Sequence, residues 1–149
     1  MRFELRCALA RDAAAISRIA HDSLPERWSP QSFEADLGAR GAVGLVAVDQ
    51  DGAVVGYALG ARADRELEIR SLAVARAHRR RGLARRLLGA LLESQREAGA
   101  EAAVLEVRRS NAAALGLYSA AGFEPRGERR GYYADGETAI VMGVRLCGG

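Results

Sequence analysis

Six consecutive residues, Arg79, Arg80, Arg81, Gly82, Leu83 and Ala84, constrain this chain most, because of what flanks them. Residues 67–74 are apolar-rich, with Ile69, Leu72 and Val74, and read as a strand. Beyond the six, Leu83, Leu87, Leu88, Leu91 and Leu92 recur at helical spacing, so a helix starts near Gly82. A strand that feeds a basic, glycine-containing turn into a helix makes an anion site. The first N–H groups of a helix lack internal partners, and the macrodipole adds partial positive charge there. Gly82 and Ala84 leave room for a phosphate to approach, while Arg79, Arg80, Arg81 and, one turn on, Arg85 supply fixed charge. A solvated arginine cluster beside an ordinary turn is the other reading of the same residues.

Composition narrows the function classes. A chain of 149 residues is expected to form one domain, residues 1–149, burying roughly two-thirds of its surface. Its 49% hydrophobic and 28% charged residues are those of a globular protein, not a disordered one. No apolar run approaches the roughly 20 residues of a membrane span, and residues 1–6 lack the apolar core of a secretion signal. A cytoplasmic location without a membrane partner is therefore expected. A formal charge of +3 is too small for a general nucleic-acid coat, and no aromatic stacking set accompanies the arginines. The bias is local, since Arg76, Arg79, Arg80, Arg81, Arg85 and Arg86 crowd one region and suit a polyanionic ligand. There is no lysine, which excludes a Walker-type phosphate loop and a lysine Schiff base. Cys7 and Cys147 form neither a disulfide framework nor a zinc motif, and His21 and His78 have no ligand pattern around them, so no metal is expected. The absence of a G-x-S-x-G element argues against a hydrolase elbow.

Phe3, Leu5 and Cys7 alternate with Glu4 and Arg6 as a first strand. Asp12 is placed to cap a helix carrying Ile16, Ile19 and Ala20, and Ser29-Pro30 to start a second that carries Phe33 and Leu37. Residues 43–49 and 53–61 are strands joined by a tight turn at Asp51-Gly52. Residues 66–74 follow as an antiparallel neighbour through a link over 62–65. The leucine helix ends at Gly99, 102–108 is a short strand, 111–121 a helix closed by Gly122, and the last strands start at Phe123 and Ala139. Helices flanking a central mixed sheet make the class α/β or α+β.

Glu106 is the sharpest single feature. It interrupts the apolar run Ala103-Val104-Leu105-Glu106-Val107, where a sheet covered on both faces would be almost wholly apolar. A carboxylate there is costly unless paired, hydrated or used, and burial makes such a group a better proton acceptor. The alternative is a salt bridge to a neighbour such as Arg108. Glu68 is its rival, on the same strand face as Glu66. Tyr118 lies two turns after Asn111 on one helix face, and Asn111 reads as a helix cap. Trp28, the only tryptophan, and the pair Tyr132-Tyr133 fall in loops.

The pattern R-x-x-G-x-A at Arg79, Gly82 and Ala84, after Leu72-Ala73-Val74, resembles the acetyl-CoA pyrophosphate loop of the GNAT N-acetyltransferase superfamily. Residues 106–114 and 117–123, followed by Arg130-Gly131-Tyr132-Tyr133, Glu137, Ala139 and Met142, are similar to its RimI type, the ribosomal-protein-alanine N-acetyltransferases. The resemblance implies a GNAT-like fold, with a mainly antiparallel sheet splayed between the fourth and fifth strands. It implies acetyl-CoA as co-substrate, bound by residues 79–85, by backbone groups at Leu72, Ala73 and Val74, and by Asn111. It implies Glu106 as base, with Glu68 where many other members carry theirs, and Tyr118 as the group that meets the departing thiolate. Trp28, Tyr132 and Tyr133 would border the acceptor. The implied acceptor is a protein N-terminus, such as that of a small-subunit ribosomal protein beginning with alanine, and the implied state a monomer or weak dimer. A small-amine acetyltransferase and a non-catalytic acyl-CoA-binding domain remain as alternatives.

Overall fold

A computed structural model describes residues 2–23 and 29–146. The strands are β1 (Glu4–Cys7), β2 (Ala42–Val48), β3 (Val54–Ala63), β4 (Glu66–Val74), β5 (Ala102–Arg108), β6 (Glu124–Arg129) and β7 (Ala139–Arg145). The helices are α1 (Ala13–Ser23), α2 (Pro30–Gly38), α3 (Leu83–Glu97) and α4 (Ala112–Ala120). The seven strands form one sheet in the order β1-β2-β3-β4-β5-β7-β6, antiparallel throughout except for the parallel pair β4–β5.

Local chemistry sets the boundaries. Ser29 caps α2, its hydroxyl accepting the Ser32 N–H at 3.1 Å with Pro30 at the first helical position. The β2–β3 turn closes with the Gly52 N–H on the Asp49 carbonyl at 3.0 Å, while the Asp49 carboxylate accepts from Asp51 and Ala53 at 2.9 Å. Gly99, at φ +110, ends α3 in a conformation that L side chains resist.

Two expectations need correction. β3 runs through Ala63, so the link to β4 is Asp64-Arg65 alone, with Asp64 in the left-handed region at φ +55. Asp12 does not cap α1. A 3-10 turn, Ala10–Asp12, precedes that helix, and the Asp12 carboxylate reaches back to the Leu9 N–H at 2.7 Å and to both Arg6 guanidinium nitrogens at 2.8 Å. The bidentate bonds from Arg6 on β1 hold Asp12 below the usual carboxylate range and tie the first strand to the first helix.

The core has two parts. Leu83, Leu87, Leu88 and Leu91 of α3 pack with Val55, Leu67, Ile69, Leu105, Val107 and Met142, and this cluster extends to Tyr118 and Phe123. Ile16, Ile19 and Phe33 of α1 and α2 pack with Val46, Tyr57 and Leu59. Both clusters brace β4, which carries a bulge. Leu59 pairs with Ser71 and Gly60 with Ile69, leaving Arg70 as the extra residue. Such a residue bends its strand and breaks the regular ladder. A Cβ on Gly60 would collide with the Glu68 carbonyl oxygen, so the bulge needs glycine opposite it. Behind it the buried Tyr57 hydroxyl meets Ser71 Oγ at 2.7 Å.

The bend has a large consequence. β4 and β5 pair only from Glu66–Ala102 to Ile69–Leu105, and past that point β4 stays on β3 while β5 stays on β7 as far as Arg108. The central sheet therefore opens into two wings, as the resemblance implied.

Candidate active site

The opening between the wings is a cleft of about 580 Å³, lined by Ile69 and Leu72 from β4, Glu106 and Arg108 from β5, Asn111 and Tyr118 from α4, and Tyr132 and Tyr133 from the β6–β7 loop. Residues 70–74 have no β5 partner, and Arg70, Ser71 and Leu72 among them line the cleft. An extended chain can lie in such a gap and use backbone groups that the missing ladder leaves open.

Glu106 lines this cleft, but not for the reason its sequence context suggested. β5 alternates, with Ala103, Leu105 and Val107 buried and Ala102, Val104, Glu106 and Arg108 half-buried. The strand is not covered on both faces where the sheet opens, so the Glu106 side chain remains 24% exposed. Its Oε1 forms an ion pair with Arg129 Nε of β6 at 3.0 Å, and Arg108, the expected partner, turns elsewhere. The same carboxylate, hydrogen-bonded to the Tyr132 hydroxyl, holds that phenol above its ordinary pKa. Glu68 stands on the opposite wing, bound to Arg70 Nε at 2.7 Å, and Arg70 in turn lies 3.6 Å from Asp36 of α2. Both carboxylates thus reach the cleft, each with an arginine on it.

Tyr118 is buried against Phe123, ring centroids 5.7 Å apart, while still bordering the cleft. Burial, with a smaller contribution from nearby Tyr133, pushes its phenol up to about 12. An ordinary thiol ionises near 8.5, so full proton transfer from Tyr118 to a departing thiolate would run about 5 kcal/mol uphill. The phenol is instead suited to donating a hydrogen bond that it never gives up. Asn111 caps α4, its Oδ1 accepting the Ala114 N–H at 3.1 Å, and its amide NH₂ takes no part in that cap.

Beyond the end of β4, Gly82 is the N-cap of α3 in the left-handed conformation, φ +74, and offers no side chain to the helix. The Arg86 N–H makes the first intrahelical bond, to the Gly82 carbonyl at 3.0 Å. The N–H groups of Leu83, Ala84 and Arg85 therefore point outward from the helix end. Arg80 also adopts positive φ, +66, so the chain wraps tightly around this point. Arg79 is committed to structure. Its Nε donates to the Val74 carbonyl at 3.0 Å and its other end to Ser23 Oγ at 2.6 Å, joining the end of β4 to the end of α1. Arg80, Arg81, Arg85 and Arg86 are exposed around the turn, and a smaller cavity of about 360 Å³ lies between Phe3, Arg81 and Arg86. Trp28 lies outside the described residues.

The model of the acetyltransferase (GNAT) family matches residues 13–123. The chain belongs to the GNAT acetyltransferase family. Among its relatives is an N-alpha-acetyltransferase of Saccharolobus solfataricus, 35% identical, covering 94% of this chain and 91% of its own. The catalytic subunit of the N-terminal acetyltransferase A complex of Arabidopsis thaliana is also 35% identical, over 97% of this chain and 78% of its own length. Of solved structures, the ribosomal-protein-S18-alanine N-acetyltransferase of Escherichia coli superposes with a TM-score of 0.90 at 30% identity, covering 99% of this chain and 96% of its own.

Arg129 and Arg70, which hold the two cleft carboxylates, lie outside every motif. Glu68 and Arg70 are strand neighbours at i and i+2, a weak local signal. Arg129 meets Glu106 only because β6 and β5 both flank β7, a long-range arrangement with no local signature.

Proposed function

We propose that this GNAT enzyme transfers the acetyl group of acetyl-CoA to the α-amine of a protein or peptide N-terminus. One observation carries the reading: the β4–β5 split brings Glu106, Tyr118 and the Tyr132-Tyr133 pair to a single gap, and the strand β4 that borders it leads on to the open N-terminus of α3. Three relatives whose names specify N-terminal or α-amine acetylation, each at 30% identity or more, support it.

The residues present fit acetyl-CoA. The N–H groups of Leu83, Ala84 and Arg85, with Arg80, Arg81 and Arg85 around them, bind the pyrophosphate, and Arg79 holds the turn in place. The acyl arm would lie along residues 72–74, where the backbone N–H groups not turned toward β3 would polarise the thioester carbonyl. The acceptor nitrogen attacks the carbonyl carbon, so a C–N bond forms as the C–S bond breaks. Glu106 takes the proton shed by the amine, directly or through one water, once Arg129 yields its place. The Tyr118 hydroxyl stabilises the developing thiolate by hydrogen bonding. Free α-amines ionise near 8 and lysine side chains near 10.4, so at neutral pH roughly 300 times more of the α-amine is already neutral. That difference suits a half-exposed carboxylate as the base.

Within this reading, a small first residue such as alanine on a small-subunit ribosomal protein is the narrower proposal, supported by the name of the Escherichia coli relative. A small polyamine is the second reading, because Glu66, Glu68 and Glu106 all line the cleft. Arg70 and Arg129, paired with two of them, cancel most of that negative field. The test is acetyl transfer to an Ala-initiated peptide, the same peptide with a blocked α-amine and a free lysine, and spermidine. Fastest transfer to the free α-amine is expected. Equal rates on the two peptides, or a preference for spermidine, would refute the α-amine reading, and no thiol release with any acceptor would leave a binding domain.

A further inference from the structure

The loop that brings Tyr132 and Tyr133 to the cleft is fastened to β5 by Arg108. Arg108 ends β5 two residues after Glu106, on the same face, and its side chain is only 14% exposed. Its guanidinium donates to Asp135 Oδ2 at 2.8 Å and to Glu137 Oε1 at 2.9 Å, and lies 4.1 Å from the centre of the Tyr133 ring. The other Glu137 oxygen accepts the Ser110 N–H at 2.9 Å, next to the Asn111 cap. Backbone bonds complete the attachment: Arg109 N–H to the Thr138 carbonyl at 3.0 Å, Tyr133 N–H to the Glu137 carbonyl at 3.2 Å and Gly136 N–H to the Tyr133 carbonyl at 2.8 Å. Tyr132 stands edge-on to Tyr133 at 5.2 Å.

We propose that Arg108 is a positioning residue for the acceptor: it sets the orientation of Tyr133, and through it Tyr132, relative to Glu106. A planar guanidinium can use its edge on carboxylates while its face lies on a ring, which an ammonium cannot do. Two carboxylates around one cation leave the group with a net negative charge, more than a merely structural ion pair would need. The arrangement pins both the height of the loop and the tilt of the Tyr133 ring from the strand that carries the proposed base. Small displacements of positioned groups cost large factors in rate or substrate binding. The inference rests on the acceptor side proposed above.

The test is a double-mutant cycle of Arg108→Gln and Tyr133→Ala in the full chain, run with whichever acceptor the native enzyme prefers, so the positioning role and the α-amine reading can fail separately. Arg108→Gln is expected to raise the acceptor KM about fivefold while kcat and acetyl-CoA affinity by calorimetry change less than about twofold. In the Tyr133→Ala background, the further rise is expected to stay below about twofold, because the residue it acts through is gone. Effects that multiply, or a loss shared equally by acetyl-CoA binding and turnover, would overturn the assignment. Should thermal unfolding show that Arg108→Gln does not fold, Glu137→Gln breaks the same attachment from the loop side, and the same criteria decide.

Discussion

The α3 N-terminus and the β6–β7 loop are built from different materials. At the α3 end the donors are backbone N–H groups, left open because the cap residue Gly82 has no side chain to satisfy them. At the β6–β7 end the surface is made of side chains, held by Arg108, Asp135, Glu137 and a stacked tyrosine. A backbone-built site is local: a few residues in one stretch determine it, and few substitutions disturb it. A side-chain-built site depends on contacts between residues nearly thirty positions apart, so each member can be lost separately. Glu106 belongs to neither: it stands on β5 and lines the cleft.

The largest effect is expected in the cleft. Glu106→Gln preserves shape and hydrogen bonding but removes the proton acceptor, so turnover should fall about 10²-fold while acetyl-CoA affinity holds. Normal turnover in that variant, with a loss in Glu68→Gln instead, would move the base to the opposite wing.

Next comes the backbone-built end. Nothing lies within 4 Å of a Cβ placed on Gly82, so Gly82→Asp causes no collision, although the positive φ strains it. Its charge, set on the open helix end, should weaken acetyl-CoA binding by about tenfold, close to 1.4 kcal/mol, with the fold retained. Unchanged affinity by calorimetry in a folded variant would remove the anion site from this turn.

A smaller, acceptor-only effect is expected from the side-chain-built end. Tyr133→Ala should raise the peptide KM about fivefold, a loss of about 1 kcal/mol, and leave acetyl-CoA affinity alone. A matched fall in acetyl-CoA affinity would show that the two regions are not separable.

The last difference is in pH response. The Glu137 N–H holds the Asp135 carboxyl below its ordinary range, and hydrogen bonds from Ser110 and Arg108 do the same for Glu137. Groups shifted down in this way lend stability that is fully present above about pH 4 and lost as pH falls through their folded-state values. Loop residues 131–138 should therefore gain amide exchange below about pH 4 before α3 does, since α3 is held by the packing of Leu83, Leu87, Leu88 and Leu91. Simultaneous loosening of both regions would show that the fold, not the loop attachment, is what acid releases.

What the sequence determined by itself was whatever short-range chemistry can specify. Helical leucine spacing, Ser29-Pro30, Asn111 before its helix and Gly82 and Gly99 at the ends of α3 placed those elements where they stand, because caps and periodicity act within a few residues. The resemblance carried by residues 79–84 and 106–123 pointed to the family, and the family model matches. Tertiary structure decided the rest. Arg70 became a bulge because β3 skips it, and with Gly60 opposite, β4 turns from β5 and the cleft opens. Whether Glu106 would be entombed or reachable depended on that opening, as did its pairing with Arg129 rather than Arg108. Asp12 turned to Arg6 because β1 and the start of α1 meet in space. Register, bulges and partner choice are set by long-range packing and by the cost of leaving a buried charge unpaired, and neither leaves a periodic trace along the chain.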